Sequence, residues 1–185
     1  MAEHVILIAG PMGAGKTTAI EALSEIPVVS TEAANTDRET ADKPTTTVAL
    51  DYGEITLDDT DKIRLYGVPG QRRFDFMWRI IEERALGLIL LVNNDAKDPL
   101  GEATAFVDHF STLVQRGGAV ICVTRSDVVS EPTAADYVDT IRKTYPDIII
   151  PVFTMDARDR DQMVIALTAL LINIEAQSPL EQEVA

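Results

Sequence analysis

The sequence predicts an α/β protein, with a mostly parallel six-stranded sheet, one antiparallel hairpin strand and helices on both faces. Three observations predict it. Short continuous apolar runs, Val5–Ile8, Leu86–Val92 and Ala119–Val123, are of the kind that central parallel strands need. Between them lie segments with apolar residues at helical spacing. A glycine-rich turn, Gly10-Pro-Met-Gly-Ala-Gly-Lys-Thr17, joins the first strand to the first helix.

Taken in order, Val5–Ile8 is the first strand, and the helix from about Lys16 to Ser24 ends at Pro27. Residues 29–47 are rich in Thr, Ala, Asp and Glu without apolar periodicity, which predicts a long mobile loop. Val48–Leu57 and Lys62–Tyr66 form a hairpin about the turn Asp58–Asp61. A helix from about Arg73 to Arg84 places Phe74, Met77, Trp78 and Ile81 on one face, expected to be core, with Phe76 and Ile80 off that stripe. The apolar excess marks this helix as a possible partner surface. After strand Leu86–Val92 come a loop from Asn93 to Pro99, a helix Leu100–Gln115 and strand Ala119–Val123. A helix Pro132–Lys143, a strand Ile148–Thr154 and a helix Asp159–Ile174 complete the fold. Residues 1–175 read as one domain, and 176–185 as an acidic tail expected to be disordered.

Composition narrows the partners. The 185 residues carry 30 acidic and 16 basic side chains, a net charge of −14. Such a surface repels phosphate backbones and anionic head groups, so nucleic acid and membrane are disfavoured and a basic protein face is favoured. The single cysteine, Cys122, sits in a buried-strand run and suits a reducing cytoplasm. No signal peptide, membrane span or lipid-anchor motif is expected: Ala stands at position 2, and the end reads Glu-Val-Ala. Neither His4 nor His109 has metal-ligand spacing.

The turn after the first strand matches the phosphate-binding pattern G-x-x-x-x-G-K-[ST] in the strand–turn–helix context it requires. Gly13, Ala14 and Gly15 can aim backbone N–H groups at phosphate, with Thr18 behind them at the start of the helix. Lys16 can reach the β- and γ-phosphates and stabilise charge during transfer, and the Thr17 hydroxyl can ligate Mg²⁺. A nucleotide triphosphate is the ligand this chemistry predicts.

The order of motifs resembles the small Ras-like GTPases over nearly the whole chain. Thr45-Thr-Thr-Val-Ala-Leu-Asp-Tyr-Gly53 with Leu65-Tyr-Gly-Val-Pro-Gly-Gln71 is most similar to their small bacterial branch, which includes MglA-type switches and GTPases encoded beside roadblock-domain proteins. The resemblance implies a small G domain of the P-loop NTPase class that binds GTP/GDP with Mg²⁺ and switches by slow hydrolysis. It also implies a roadblock-domain regulator. Thr47, with Thr45 as the alternative, would bind Mg²⁺ and sense the γ-phosphate. Gly70 would offer its N–H to that phosphate, and Gln71 would orient the attacking water. The family's aspartate three residues before that glycine is replaced here by Gly67, and Asp51 is the nearest carboxylate to compensate, through water.

Thr124-Arg-Ser-Asp127 stands where the family has Asn-Lys-x-Asp. Asp127 can accept from guanine N1–H and N2–H₂ together, whereas adenine offers no such donor pair. Arg125 can lay its guanidinium plane on the base. Asp156-Ala-Arg158 matches the last station, with the Ala157 N–H toward the guanine carbonyl and Arg158 beside it. Asn93–Ala96 reads as a loop near the nucleotide and not as a base reader. Arg38, Arg72 and Arg73 are candidates for assisting hydrolysis. The competing readings are a catalytically weak nucleotide-dependent binding module and a P-loop small-molecule kinase, the latter disfavoured by the lack of an arginine-bearing lid.

Overall fold

The computed structural model describes residues 3–30, 50–57, 61–70 and 75–177. In chain order the elements are β1 (Glu3–Ala9), α1 (Lys16–Leu23), β2 (Val29–Ser30), β3 (Asp51–Thr56), β4 (Lys62–Gly67), α2 (Asp75–Glu82) and β5 (Ala85–Asn93). There follow α3 (Pro99–His109), α4 (Ser111–Gln115), β6 (Ala119–Thr124), α5 (Ala134–Thr144), β7 (Val152–Thr154) and α6 (Arg160–Gln177). The strands form one sheet in the order β2-β3-β4-β1-β5-β6-β7. Pairing is parallel from β4 through β1, β5 and β6 to β7, and antiparallel at β2–β3 and β3–β4.

Alternation along the central strands divides the core in two. Leu7 and Ala9 of β1, with Leu88, Leu90 and Val92 of β5, face Trp78, Phe106, Phe110, Tyr137 and Ile141. Ile6 and Ile8, with Ile89 and Leu91, face Ala19, Ile20, Leu23, Met163, Ala166 and Leu170. The period of two thus puts α1 and α6 on one face and the other helices on the opposite one. Burial pushes the Cys122 thiol up, so it behaves as a small apolar core residue.

The sheet has seven strands where the sequence predicts six. The addition, β2, is a two-residue exposed edge strand, too short to leave an apolar pattern. The predicted helix Leu100–Gln115 is two helices, α3 and α4, broken at Phe110, whose fully buried ring lies 5.6 Å from Trp78. The last strand is shorter than predicted because Pro151 has no N–H for the ladder; its carbonyl still accepts from Ile121 N at 2.9 Å. α6 runs to Gln177, two residues into the expected tail, where the Gln177 side chain donates to Asn173 Oδ1. Residues 178–185 lie outside the described residues. Arg160 Nη1 closes the end of α1 by donating to the Ala22 and Leu23 carbonyls at 2.9 and 3.1 Å.

Strand order reverses direction on either side of β1, so a crevice opens at the carboxyl ends of β1 and its neighbours. Among the described residues no helix is long and apolar enough to cross a membrane.

Candidate functional site

The chain leaves β1 into a loop whose glycines take left-handed or extended positive-φ conformations, Gly10 at 146°, Gly13 at 79° and Gly15 at 94°. At Gly10 this is obligatory twice over, because a Cβ there would overlap the Leu91 carbonyl oxygen of β5. Gly15 is the N-cap of α1, which begins at Lys16 with no side-chain cap, so the first-turn N–H groups face the crevice. Lys16 Nζ donates to the Gly10 and Pro11 carbonyls at 3.0 and 2.8 Å, folding the lysine back over the loop. Burial lowers its pKa to about 8, against the opposing pull of the Asp51 charge.

Behind the lysine, Thr17 Oγ1 donates to Asp51 Oδ2 at 2.5 Å, and Ser30 Oγ donates to Asp51 Oδ1 at 2.6 Å. Asp51 is the register partner of Gly67 across the β3–β4 hairpin. A Cβ on Gly67 would stand 3.1 Å from Asp51 Cβ and 3.4 Å from Asp51 Oδ2. The Asp51 carboxylate therefore sits beside the space that a side chain at 67 would enter. Its charge, with the Thr17 and Ser30 hydroxyls, is a donor set suited to a hard divalent cation. Among the described residues no three His, Cys, Asp or Glu side chains converge on a metal cage, so phosphate oxygens would have to complete such a site.

Gly70 lies directly on the phosphate loop: a Cβ there would come within 2.5 Å of Gly10 O and 2.8 Å of Met12 N. The approach is set by Val68 N donating to Ile8 O at 3.0 Å and by Trp78 Nε1 donating to Pro69 O at 3.0 Å. Trp78 is core, as expected, while Ile80 is exposed. Gln71 and Thr47 lie outside the described residues, as do Thr45, Arg38, Arg72, Arg73, Phe74 and the side chains of Phe76 and Met77.

From the phosphate loop a cavity of about 790 Å³ runs across the ends of β6 and β7. Gly13, Ala14, Gly15 and Thr18 line one end, and Thr124–Val128 with Thr154–Arg158 line the other. Ala157 is buried, and a Cβ on Gly15 would touch its Cβ at 3.2 Å, so the last loop rests on the phosphate loop. Arg125 has φ 60°, a conformation uncommon outside glycine. Its Nη1 donates to Asp95 Oδ2 at 2.8 Å and its Nη2 reaches Gly13 O at 3.4 Å. Thr124 Oγ1 donates to Val92 O and Asn93 Oδ1, both at 3.2 Å. Arg158 clamps Asp156, and these hydrogen bonds hold the Asp156 carboxyl down to about 2. Arg158 is therefore paired at the rim, with the Asp127 charge among its neighbours.

The structure thus brings Gly13, Ala14, Gly15, Thr18, Thr124, Arg125, Asp127, Ala157 and Arg158 onto one cavity. Lys16, Thr17 and Asp51 gather behind the phosphate loop, and Gly70 packs against its Gly10–Met12 stretch. Sequence reasoning missed Ser30 and Gln162, and placed Asp95 in a loop near the nucleotide without giving it a role. Gln162 Oε1 accepts from Asp156 N at 2.9 Å and its Nε2 donates to Asp159 Oδ2 at 2.8 Å. The D-x-x-Q spacing at the head of α6 was a legible capping signal for it.

Residues 27–171 match the model of a family described as conserved hypothetical ATP binding protein. A 31-residue stretch is 55% identical to the uncharacterized protein MJ1339 of Methanocaldococcus jannaschii, a match covering 17% of this chain and 20% of that protein. The fold is similar to the Arl6 BBS3 small GTPase of Trypanosoma brucei, solved with the nucleotide analogue GppNp. The TM-score is 0.66 at 16% identity, covering 96% of this chain and 100% of that one.

Proposed function

Since the chain belongs to the family described as conserved hypothetical ATP binding protein, we propose that it is a guanine-nucleotide-binding switch that hydrolyses GTP slowly. The observation that carries the reading is the single cavity joining the phosphate loop to Asp127 and Ala157. Its phosphate end has the glycine backbone, helix terminus and lysine that suit a polyphosphate. Its far end offers a carboxylate, which suits the paired donors of guanine better than the acceptor of adenine.

In this reading Lys16 and the amides of Gly13–Thr18 hold the β- and γ-phosphates. Gly70 senses the γ-phosphate, and Gln71 orients a water in line with it. Mg²⁺ would be held by Thr17 and Thr47 with support from Asp51, and would there offset charge on the β- and γ-phosphate oxygens. The support for Asp51 is its place between Thr17 and Ser30, facing the bare Gly67. Thr124 anchors the base loop, Arg125 flanks the base, Asp127 reads it, and Ala157 and Arg158 close the rim. The single domain, expected over residues 1–175, includes α6 to its end at Gln177. A roadblock-domain regulator that orders the switch loops, with Arg38, Arg72 or Arg73 entering the site, would accelerate turnover, and the reducing cytoplasm is the proposed compartment.

The family description favours a second reading in which the nucleotide is ATP. Competition titration separates the two: displacement of labelled GDP by GTP at concentrations at which ATP is inert supports the guanine reading. Equal displacement by the two contradicts it.

A further inference from the structure

Three consecutive residues at the end of β5, Asn93, Asn94 and Asp95, are tied to the loop that follows β6 at every step. Asn93 is the register partner of Thr124 and accepts its hydroxyl. Asn94 N donates to Thr124 O at 2.9 Å. The Asn94 side chain, only 2% exposed, donates to Val129 O at 2.7 Å and Pro132 O at 3.0 Å and accepts from Tyr137 Oη at 2.9 Å. Burial pushes the Tyr137 phenol up to about 12, so it remains a donor. The loop carrying Arg125 and Asp127 is thereby held from within.

Asp95 completes the series from outside. The Arg125–Asp95 pair lies at the cavity wall with the arginine side chain 48% exposed, and an ion pair that wet adds little to folding. It is nonetheless built on an arginine with φ 60° whose guanidinium is bracketed between Asp95 and the Gly13 carbonyl. Anchors on both terminal nitrogens leave the planar guanidinium few rotamers. A free arginine would lose that freedom on meeting a ligand, which weakens binding.

We infer that Asp95 is a positioning residue for base binding: its carboxylate orients the Arg125 guanidinium as the flat wall of the base end of the cavity. The inference rests on the proposed reading of this cavity as a nucleotide site. A face contact through a π-system does not distinguish one purine from another. Asp95 therefore serves affinity for any base, whereas Asp127 serves choice among bases.

The experiment is calorimetric titration of wild type, Asp95→Ala, Asp95→Asn and Asp95→Glu with GDP, IDP and ribose 5-diphosphate, which lacks a base. Both Asp95→Ala and the isosteric Asp95→Asn are expected to weaken GDP and IDP by the same factor, about 3- to 30-fold. Ribose 5-diphosphate should bind all four proteins alike, and Asp95→Glu should recover most of the loss. If Asp95→Asn binds GDP as wild type does, Asp95 positions nothing. If it loses GDP and ribose 5-diphosphate equally, the residue is structural and the inference is overturned. A wild type that cannot tell GDP from ribose 5-diphosphate overturns the base-site reading itself, and the inference with it.

Discussion

Exchanging the carboxylate between neighbouring strands tests the idea that Asp51 stands in for the aspartate absent at Gly67. Restoring that aspartate alone, by Gly67→Asp, should harm the protein. The new Cβ would stand 2.9 Å from Ile20 Cδ1 and 3.1 Å from Asp51 Cβ, and Ile20 is fully buried. Overpacking of this kind costs about 1–3 kcal/mol. Two carboxylates about 5 Å apart repel by about 3 kcal/mol at an effective dielectric constant of about 20. The sum, about 4–6 kcal/mol at neutral pH, is a large fraction of a typical domain's stability. The electrostatic part should shrink as pH falls and one of the pair takes a proton. Removing Asp51 as well, in Asp51→Gly/Gly67→Asp, deletes both the charge partner and one of the two close contacts. Urea unfolding of the four proteins then gives a coupling of about 2–3 kcal/mol in favour of the double variant. The accompanying assay is release of labelled GDP with Mg²⁺ or EDTA, in which Asp51→Gly should lose the Mg²⁺ effect and the exchanged protein should regain part of it. A Gly67→Asp protein as stable as wild type, or a coupling of zero, would refute the argument.

Other outcomes follow from the same geometry. Because burial holds Lys16 at about 8 in the free protein, and bound phosphate would favour its charged form, GDP affinity should be flat below pH 8. Above it, affinity should fall by about tenfold per unit, a slope that Lys16→Met should abolish along with most of the affinity. The same lowered pKa means that the unfolded chain holds the extra proton between pH 8 and 10.5, so the Lys16 contribution to free-protein stability rises across that window. Gln71→Leu should leave GTP affinity within about threefold while lowering single-turnover hydrolysis by about tenfold or more. Of Arg38→Ala, Arg72→Ala and Arg73→Ala, one should lower the partner-stimulated rate, and three unchanged rates would dismiss an intrinsic arginine.

How much of this was legible in the sequence depends on how local each signal is. The runs Val5–Ile8, Leu86–Val92 and Ala119–Val123 announce buried strands because both of their faces are apolar. The phosphate loop announces itself through glycines whose positions the structure makes obligatory, as at Gly10 against Leu91. The break at Phe110 left no mark, since a buried aromatic carries no breaker signal. Pro151 did mark the start of the last strand, and the longer predicted span overlooked its missing N–H. At the site, the order of motifs placed Asp127 and Ala157 near one another. What was only partly legible lies across strand register. Asp51 was legible as the carboxylate nearest Gly67, but not that it is the direct register partner of that glycine, nor that Asn93 faces Thr124, so these two departures from the familiar motif each have a polar side chain opposite on the neighbouring strand. The partners of Ser30 and Asp95 were not legible either, because they lie 21 and 30 residues away.

The central claim is that Asp127 makes the cavity a guanine site. Asp127→Asn replaces an acceptor-only carboxylate with an amide that can donate to the extra carbonyl of xanthine. Titration of both proteins with GDP, XDP and ADP measures the claim directly. Wild type should prefer GDP over XDP and ADP by at least about 10³, and Asp127→Asn should reverse the order of GDP and XDP while its thermal melt is unchanged. A wild type that binds ADP as tightly as GDP, or an Asp127→Asn protein with its base preference intact, would contradict it.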